Sequence, residues 1–453
     1  MELINENLIG GILRKTKRVE KGLLDEILFK ASEGKGLDLT DVAALLTVRE
    51  PEQRESIYKI AWQVKQEIYG SRMVFFAPLY LSNYCVNSCE YCGFSIKNLE
   101  LIPKTLSRDE AVEEAMVLAE KGQKRLLLVS SENQQVTPDY IAGIMEGIYK
   151  KTGIKRLNVN MAPLSVEGFK TLKEAGIGTY QVFQETYHRT TYELLHQKGP
   201  KKDYQWRITS HERAFRAGIE DLGFGVLFGL YDYRFEVLAL LQHIRIFEEI
   251  FGVGPHTISV PRWRPAPGIR MQEAPCSLDD DTFATIIAVL RLAVPYTGII
   301  LSTRERPELR DKLFNLGVSQ ISAGSSTSPG GYKEKGAGQG QFLIDDSRTM
   351  EEIVTELCHN GFMPSFCTAC YRRERTGPDF MALAKKGAIK NMCQANAIIT
   401  FKEYLLDFAL PETQRLGEGF LVGEINRIPD GFLKKEVMER LYRLNEGCRD
   451  LYF

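Results

Sequence analysis

Short apolar runs rich in β-forming residues alternate with longer amphipathic stretches through the middle of the chain. Eight such runs occur, at Met73–Leu81, Arg125–Val129, Leu157–Ala162, Thr179–Phe183, Leu222–Phe228, His256–Val260, Gly298–Leu301 and Ser319–Ala323. The stretches between them contain helix starts: Ser107 and Glu110 have capping-box spacing, and Thr137 precedes Pro138. Eight strand–helix units in about 250 residues predict an α/β fold, a closed (β/α)8 barrel of the TIM type. An incomplete barrel of six units with insertions is the alternative.

Two further regions flank these units. Residues 1–70 place Leu23, Ile27 and Ala31 at helical spacing, which predicts a helical N-terminal extension packed outside the barrel. The barrel is expected to span residues 71–340, and it ends in the glycine- and serine-rich stretch Gly324–Gly340, interpreted as a mobile loop. Residues 341–453 are expected to form a mostly helical C-terminal domain.

Composition narrows the class of protein. Among 453 residues, 58 Lys and Arg balance 59 Asp and Glu, for a net charge of -1. Without an excess of positive charge, neither a nucleic acid nor a membrane surface is an expected partner. The first residues carry Glu2 and Glu6 and lack a secretory core, and no apolar stretch reaches the roughly 20 residues of a membrane span. These features predict a cytoplasmic enzyme.

The nine cysteines are an odd number, and six of them form two groups, which favours metal ligation over disulfides. The first group is Cys85, Cys89 and Cys92, in a C-x3-C-x2-C arrangement directly after the first predicted strand. Three thiolates on one loop can hold three corners of a 4Fe-4S cluster and leave the fourth iron open. A structural zinc is the weaker interpretation because no fourth Cys or His lies nearby.

This loop resembles the signature of the radical S-adenosylmethionine (SAM) enzymes. The resemblance implies that the amino acid moiety of SAM chelates the open iron, and that one electron cleaves the sulfonium to a 5′-deoxyadenosyl radical. It also implies that Tyr91 packs on the adenine, although an ordinary loop aromatic is an equal alternative.

Further cofactor contacts are predicted where a barrel places active-site groups, at strand ends. They are Glu132, Asn158, Asn160, Glu185 and Arg207. Any of these side chains could instead form a loop salt bridge.

The second group is Cys367, Cys370 and Cys393, in a C-x2-C-x22-C arrangement. Spacing alone leaves open a structural zinc completed by Cys358 or His359. The surrounding sequence, however, resembles the HydG maturases of FeFe-hydrogenase, as do GTYQVFQETYH, GVLFGLYDYRFEVLALL, GVGPHTISVPR and LAVPYTGIILSTRE. The resemblance covers nearly all of the chain from about residue 70.

The HydG resemblance implies a second 4Fe-4S cluster in the C-terminal domain. Its unique iron would connect, through a sulfide or a free L-cysteine, to a labile iron held by His256, which would otherwise be a core histidine. His256 precedes the sixth strand and the Cys85 loop follows the first, so the two centres face opposite mouths of the barrel, roughly 20 Å apart. We therefore expect the C-terminal domain to cap the far mouth, and small or polar residues to line the lumen.

The same resemblance implies the reaction. L-tyrosine would be cleaved to p-cresol and dehydroglycine, and dehydroglycine would decompose to carbon monoxide and cyanide. Both molecules would bind to the labile iron and form an Fe(CO)2(CN)-cysteine synthon, which would pass to other hydrogenase maturases.

The chain departs from the family at two positions. Ser326 stands where the family has an arginine, which leaves Arg304 to bind the substrate carboxylate, and Ser131 replaces a glycine. The alternatives are a 2-iminoacetate-forming tyrosine lyase, a paralogue with a changed substrate, and a non-catalytic iron–sulfur scaffold.

Overall fold

A computed structural model describes residues 3–334, 340–373, 375–385 and 389–453. The end of the glycine-rich stretch interpreted above as a mobile loop, residues 335–339, lies outside this range.

Eight parallel strands close into a barrel in the order β2-β3-β4-β5-β6-β7-β8-β1, and β1 also pairs with β2. The strands are β1 Arg72–Ser82, β2 Arg125–Ser130, β3 Arg156–Asn160, β4 Thr179–Gln181, β5 Asp221–Gly225, β6 Thr257–Ser259, β7 Gly298–Leu301 and β8 Gln320–Ser322. The eight-stranded prediction is confirmed, and the six-unit alternative is wrong. The third, fourth, fifth, sixth and eighth strands are shorter than their apolar runs, although backbone bonds from Val182 to Gly223 and from Gln184 to Gly225 continue the pairing beyond β4.

Nineteen α-helices occur in the described part of the chain. They are α1 Glu6–Lys15, α2 Lys21–Ser32, α3 Leu39–Leu45, α4 Pro51–Ile68, α5 Arg108–Glu120, α6 Pro138–Lys151, α7 Val166–Glu174, α8 Arg189–Leu195, α9 Tyr204–Ile208, α10 Ser210–Arg216, α11 Tyr233–Phe251, α12 Asp280–Ala293, α13 Pro307–Phe314, α14 Met350–His359, α15 Ala369–Arg372, α16 Gly377–Lys385, α17 Ile389–Asp407, α18 Pro411–Asn426 and α19 Phe432–Asn445. No helix within the described ranges is long and apolar enough to cross a membrane.

The predicted helix starts are present. The Ser107 side chain accepts from the Glu110 backbone, and the Glu110 side chain accepts in return from the Ser107 backbone. Thr137 caps α6 by accepting from Tyr140, with Pro138 in the first turn. Helices α1 to α4 pack outside the barrel, where α4 lies on α12 and α1 and α3 lie on α11. The domain boundaries at residues 70 and 340 stay predictions.

A ninth strand, β9 (Met363–Ser365), joins the sheet from the C-terminal region. It pairs in parallel with Arg72–Val74, ahead of the part of β1 that pairs with β2. Sequence analysis missed it because three residues with Pro364 in the middle carry no strand signal. Since Cys367 follows two residues later, β9 fixes the second cysteine group at the N-terminal mouth of the barrel.

Candidate functional site: two cysteine-lined cavities

The first cysteine loop lies over a cavity at the C-terminal mouth of the barrel, where Cys85, Cys89 and Cys92 contribute to the lining. Glu132 holds the loop in place at two points. Its carboxylate accepts from Asn87 Nδ2 at 2.7 Å, and its backbone carbonyl accepts from the Val86 amide at 2.9 Å. Glu132 also lines the cavity, so this predicted cofactor contact supports the cluster loop as well.

A second segment, residues 197–201, lies against the same loop. Gly199 makes this approach possible: its φ is +85°, and a Cβ there would stand 2.3 Å from Asn87 Oδ1. A larger residue would both strain the backbone and displace Asn87. The segment brings Lys201 into the cavity lining.

The three cysteines are free thiols that line the cavity. Burial, followed by the neighbouring Cys85, raises the pKa of Cys92 to about 11, and burial raises that of Cys89 to about 12. Among described residues, no three His, Cys, Asp or Glu side chains converge where one metal ion could sit. Each cysteine of a cubane cluster binds a separate iron, and three sulfur donors on one loop are the kind of ligand set that such a cluster takes.

Glu185 forms the charged centre of the cavity wall. Its Oε1 lies 2.7 Å from Lys201 Nζ and 3.2 Å from Arg207 Nη2. Burial alone would raise the pKa of Glu185, but Lys201 and Arg207 outweigh that effect and lower it. The backbone of Glu185 has a φ of 72°, a conformation that is rare outside glycine and marks a constrained turn.

Tyr91 is buried beside the cysteine loop, and its hydroxyl lies 2.8 Å from His196 Nε2. Its ring lies 5.5 Å from Lys201 Nζ. Burial, with the carboxylate of Glu185 next, raises the pKa of Tyr91 well above its usual value, so the hydroxyl stays protonated. The residue lines the cavity, as a packing partner for a bound base would.

The remaining predicted contacts divide into two groups. Asn160 and Arg207 line the cavity at the C-terminal mouth, which is called the upper cavity below. Asn158 does not; its Oδ1 accepts from the Thr179 backbone at 3.0 Å and so supports the start of β4. The geometry gives no support to Asn158 as a cofactor contact, which stays a prediction.

Arg304 also lines the upper cavity. Its guanidinium lies 3.4 Å from the centre of the Phe342 ring, and in the described part of the chain it forms no ion pair with a carboxylate. Ser325 and Thr327 reach the lining, whereas Ser326 does not. The Ser325 hydroxyl is buried and has no hydrogen-bond partner among the described residues. Arg304 is a partly buried cation in the cavity wall that a bound anionic group could pair with.

A second cavity, called the lower cavity below, lies at the opposite, N-terminal mouth. Cys367, Cys370, Cys393 and His256 all line it, so the structure brings together four residues that are widely separated in sequence. Cys358 is buried in α14 and is not part of this lining, as expected if it does not complete a zinc site. Burial lowers the pKa of His256, which keeps the imidazole neutral and able to bind a metal.

Sequence analysis missed several residues around the second cavity. Arg72, Arg125 and Tyr371 line it, and Arg125 Nη2 donates to the Cys367 carbonyl at 2.8 Å. The Tyr371 hydroxyl lies 3.0 Å from Thr179 Oγ1 and 3.3 Å from His256 Nε2. In the upper cavity, Lys201 was missed in the same way. Arg72 and Arg125 are brought to the cysteines by strand pairing, and Lys201 by the close approach of its segment to the cysteine loop, so no local pattern marks them.

Polar side chains and glycines occur in the barrel interior between the two cavities. Gln181 lines the upper cavity and Gln320 the lower one, and Gln181 Nε2 donates to Thr257 Oγ1 at 3.4 Å. Gly223 and Gly298 leave space here: a Cβ on Gly223 would lie 2.4 Å from Gln181 Cγ, and one on Gly298 would lie 2.6 Å from Gln320 Nε2. Phe76, Leu127 and Ile300 also line the upper cavity, so the barrel interior combines small and polar residues with large apolar ones.

The barrel, the cysteine loop after β1 and the charged groups at the strand ends define a radical SAM enzyme. Residues 79–244 match the Radical SAM superfamily, and residues 259–363 match the Biotin and Thiamin Synthesis associated domain. Membership implies a SAM-binding 4Fe-4S cluster.

Full-length similarity identifies the family. The fold superposes on a crystal structure of HydG, a maturase of the [FeFe]-hydrogenase, with a TM-score of 0.97, 46% identity and complete coverage of both chains. HydG from Carboxydothermus hydrogenoformans superposes with a TM-score of 0.86 and 41% identity over 96% of this chain and 97% of that chain. The 2-iminoacetate synthase of Escherichia coli (strain K12) is 33% identical over 74% of this chain and 88% of its own length. The chain belongs to the HydG family.

Proposed function

We propose that this protein is a radical SAM tyrosine lyase that supplies carbon monoxide and cyanide for hydrogenase maturation. It cleaves L-tyrosine to p-cresol and dehydroglycine, and dehydroglycine then yields the two diatomic ligands. They are assembled on a labile iron as an Fe(CO)2(CN)-cysteine synthon, which passes to other hydrogenase maturases. The observation that carries this proposal is the pair of cysteine-lined cavities at opposite mouths of one barrel, with His256 in the second cavity.

The upper cavity is proposed to bind SAM and tyrosine. Cys85, Cys89 and Cys92 hold the first 4Fe-4S cluster, which with SAM supplies the radical chemistry. Tyr91, Glu132, Asn160, Glu185 and Arg207 orient SAM. The ion pairs of Glu185 with Lys201 and Arg207 keep that carboxylate charged, so it can accept from the ammonium or ribose hydroxyls of the cofactor. Arg304 binds the tyrosine carboxylate, because it is a partly buried cation in the cavity wall whose guanidinium has no carboxylate partner in the described ranges.

The lower cavity is proposed to collect the products. Cys367, Cys370 and Cys393 hold the second 4Fe-4S cluster, and His256 holds the labile iron, which is cargo and not a resident cofactor. A free L-cysteine would bridge the two. His256 lines this cavity, and its neutral imidazole suits this assignment. The diatomic ligands would pass along the barrel axis, where Gly223 and Gly298 keep the lumen from closing.

A 2-iminoacetate-forming lyase is the second candidate, because the Escherichia coli enzyme of that name is a close relative. Such an enzyme would need only the upper cavity. The similarity to that relative leaves part of this chain unmatched, whereas the HydG structures match it nearly end to end. This difference favours the two-centre function.

The test is an anaerobic assay of the reconstituted protein with SAM, dithionite and tyrosine, in which p-cresol, cyanide, carbon monoxide and 5′-deoxyadenosine are measured. The Cys367→Ala/Cys370→Ala variant removes the second cluster, and Cys448→Ala, at an exposed free cysteine, is its matched control. We expect all three tyrosine-derived products from the wild type and from the control, and loss of carbon monoxide in the double variant.

Two other outcomes would change the assignment. If p-cresol forms without carbon monoxide even in the wild type, the 2-iminoacetate-forming lyase is correct. If 5′-deoxyadenosine forms without p-cresol, the radical chemistry is right and the substrate is wrong, and Ser326 is the first position to examine.

A further inference from the structure

The two ring nitrogens of His256 have different surroundings. Nε2 lies 3.3 Å from the hydroxyl of Tyr371, and both residues line the lower cavity. Nδ1 lies 3.5 Å from Oδ1 of Asp221, which is buried and does not line that cavity. The imidazole therefore presents Nε2 to Tyr371, which lines the cavity, and Nδ1 to Asp221, which does not.

Asp221 is held rigidly behind this ring. It is the first residue of β5, and the backbone amide of His256 donates to the carbonyl of the next residue, Leu222, at 2.9 Å. Oδ1 of Asp221 also accepts from the Gly377 amide at 3.3 Å. Neighbouring strands thus fix the distance between the carboxylate and the imidazole.

Each of the two side chains has one polar atom that lacks a hydrogen bond. Nδ1 of His256 and Oδ2 of Asp221 are both buried and have no hydrogen-bond partner in the described part of the chain. Buried polar groups in proteins nearly always find a partner, and a small rotation of either side chain would let Nδ1–H donate to the carboxylate. Tyr371 can release Nε2, because its hydroxyl has a second partner in Thr179 Oγ1 at 3.0 Å.

We propose that Asp221 is a positioning residue for His256: it accepts from Nδ1–H, fixes the tautomer and the ring plane, and leaves the Nε2 lone pair for the labile iron. A histidine that binds a metal usually donates its other N–H to a carboxylate or carbonyl, which orients the ring and makes the ligand more basic. This role rests on the assignment of His256 in the proposed function.

The test measures iron binding on the full-length, cluster-reconstituted protein. Ferrous iron is titrated in the presence of L-cysteine, and binding beyond the two clusters is followed by metal analysis after desalting and by electron paramagnetic resonance of the second cluster. The variants are Asp221→Ala, which removes the acceptor, and Asp221→Asn, which keeps an oxygen for Nδ1–H and for Gly377. Only preparations whose cluster iron and sulfide contents equal those of the wild type are compared. A folding defect is then not mistaken for weaker binding of the additional iron.

We expect Asp221→Ala to weaken binding of the additional iron about 10- to 100-fold, the usual cost of losing such a partner, and Asp221→Asn to restore part of it. Wild-type iron affinity in Asp221→Ala would overturn the proposal. So would an Asp221→Asn variant that binds iron as weakly as Asp221→Ala.

A His256→Ala variant separates this inference from the function on which it rests. If His256→Ala binds the additional iron as well as the wild type, His256 is not the ligand, and the role of Asp221 falls with it. If His256→Ala loses the iron while Asp221→Ala keeps it, only the inference about Asp221 is wrong.

Discussion

Arg125 in the barrel wall donates from Nη2 to the backbone carbonyl of Cys367, over a distance of 2.8 Å. Arg125 is the first residue of β2 and is 7% exposed. The bond therefore fastens the loop of the second cysteine group to the N-terminal mouth of the barrel, in addition to the pairing of β9 with β1.

Replacing Arg125 by methionine keeps most of the side-chain volume and removes the donor. A hydrogen bond from a charged group contributes about 1.5 to 3 kcal/mol, so Arg125→Met should lose the second cluster selectively. Electron paramagnetic resonance and iron analysis of the reconstituted variant measure this loss. The control is Arg373→Met at an exposed arginine of the same region. Full occupancy of both clusters in Arg125→Met would contradict the role of this bond.

Arg304 is expected to hold the carboxylate of tyrosine. Its guanidinium stacks on Phe342 within the upper cavity and has no carboxylate partner among the described residues. Arg304→Met should raise the KM for tyrosine about 10- to 100-fold, because one charge-assisted contact is lost from a buried site. The KM and the tyrosine-independent cleavage of SAM are measured together. An unchanged KM would assign the carboxylate to another group.

Glu236 should make the stability of the fold depend on pH. Burial raises its pKa to about 8, with a smaller contribution from Asp232, and hydrogen bonds from Thr186 and Tyr187 oppose the rise only in part. The pKa in the unfolded chain is about 4.3, so the folded state binds the proton more tightly. The contribution of Glu236 is therefore fully present below about pH 4 and is lost as the pH rises through about 8.

Thermal unfolding of the wild type and Glu236→Gln at pH 6 and pH 9 tests this expectation. The wild type should lose on the order of 2 kcal/mol more than the variant over this interval, because glutamine does not ionise. The control is Glu249→Gln at an exposed position of the same helix, and it should follow the wild type. Parallel profiles for the wild type and Glu236→Gln would show that Glu236 does not titrate in this range.

The ion pair between Arg310 and Asp346 links α13 to the segment after the glycine-rich stretch. Both side chains are fully buried, and Asp346 also pairs with Arg348 at 2.7 Å. Arg310→Met leaves a carboxylate buried with one partner fewer and should cost about 3 to 5 kcal/mol of the free energy of unfolding. Chemical denaturation measures the loss.

Arg306 provides a comparison within the same region. It pairs with Asp280 at 2.7 Å, and its side chain is 59% exposed. Arg306→Met should cost at most about 1 kcal/mol, because solvent screens the pair. Equal losses for the two variants would mean that burial does not decide the strength of the Arg310 pair.

The sequence predicted the barrel strands because their apolar runs and the helix starts between them are local patterns. Capping at Ser107 and Thr137 depends on neighbours a few residues away, so the structure reproduces it. The short strand β9 has no such pattern. Its place comes from pairing with β1, almost three hundred residues earlier in the chain.

For the site, the sequence by itself determined which candidate ligands are present, because the spacing of Cys85, Cys89 and Cys92 on one loop already limits the chemistry. Only the tertiary structure decided which residues surround them. Lys201 reaches Glu185 because Gly199 lets its segment cross the cysteine loop, and Asp221 reaches His256 because their strands are neighbours in the barrel. Such contacts depend on strand order and on distances across the barrel, which residue type and local spacing do not encode.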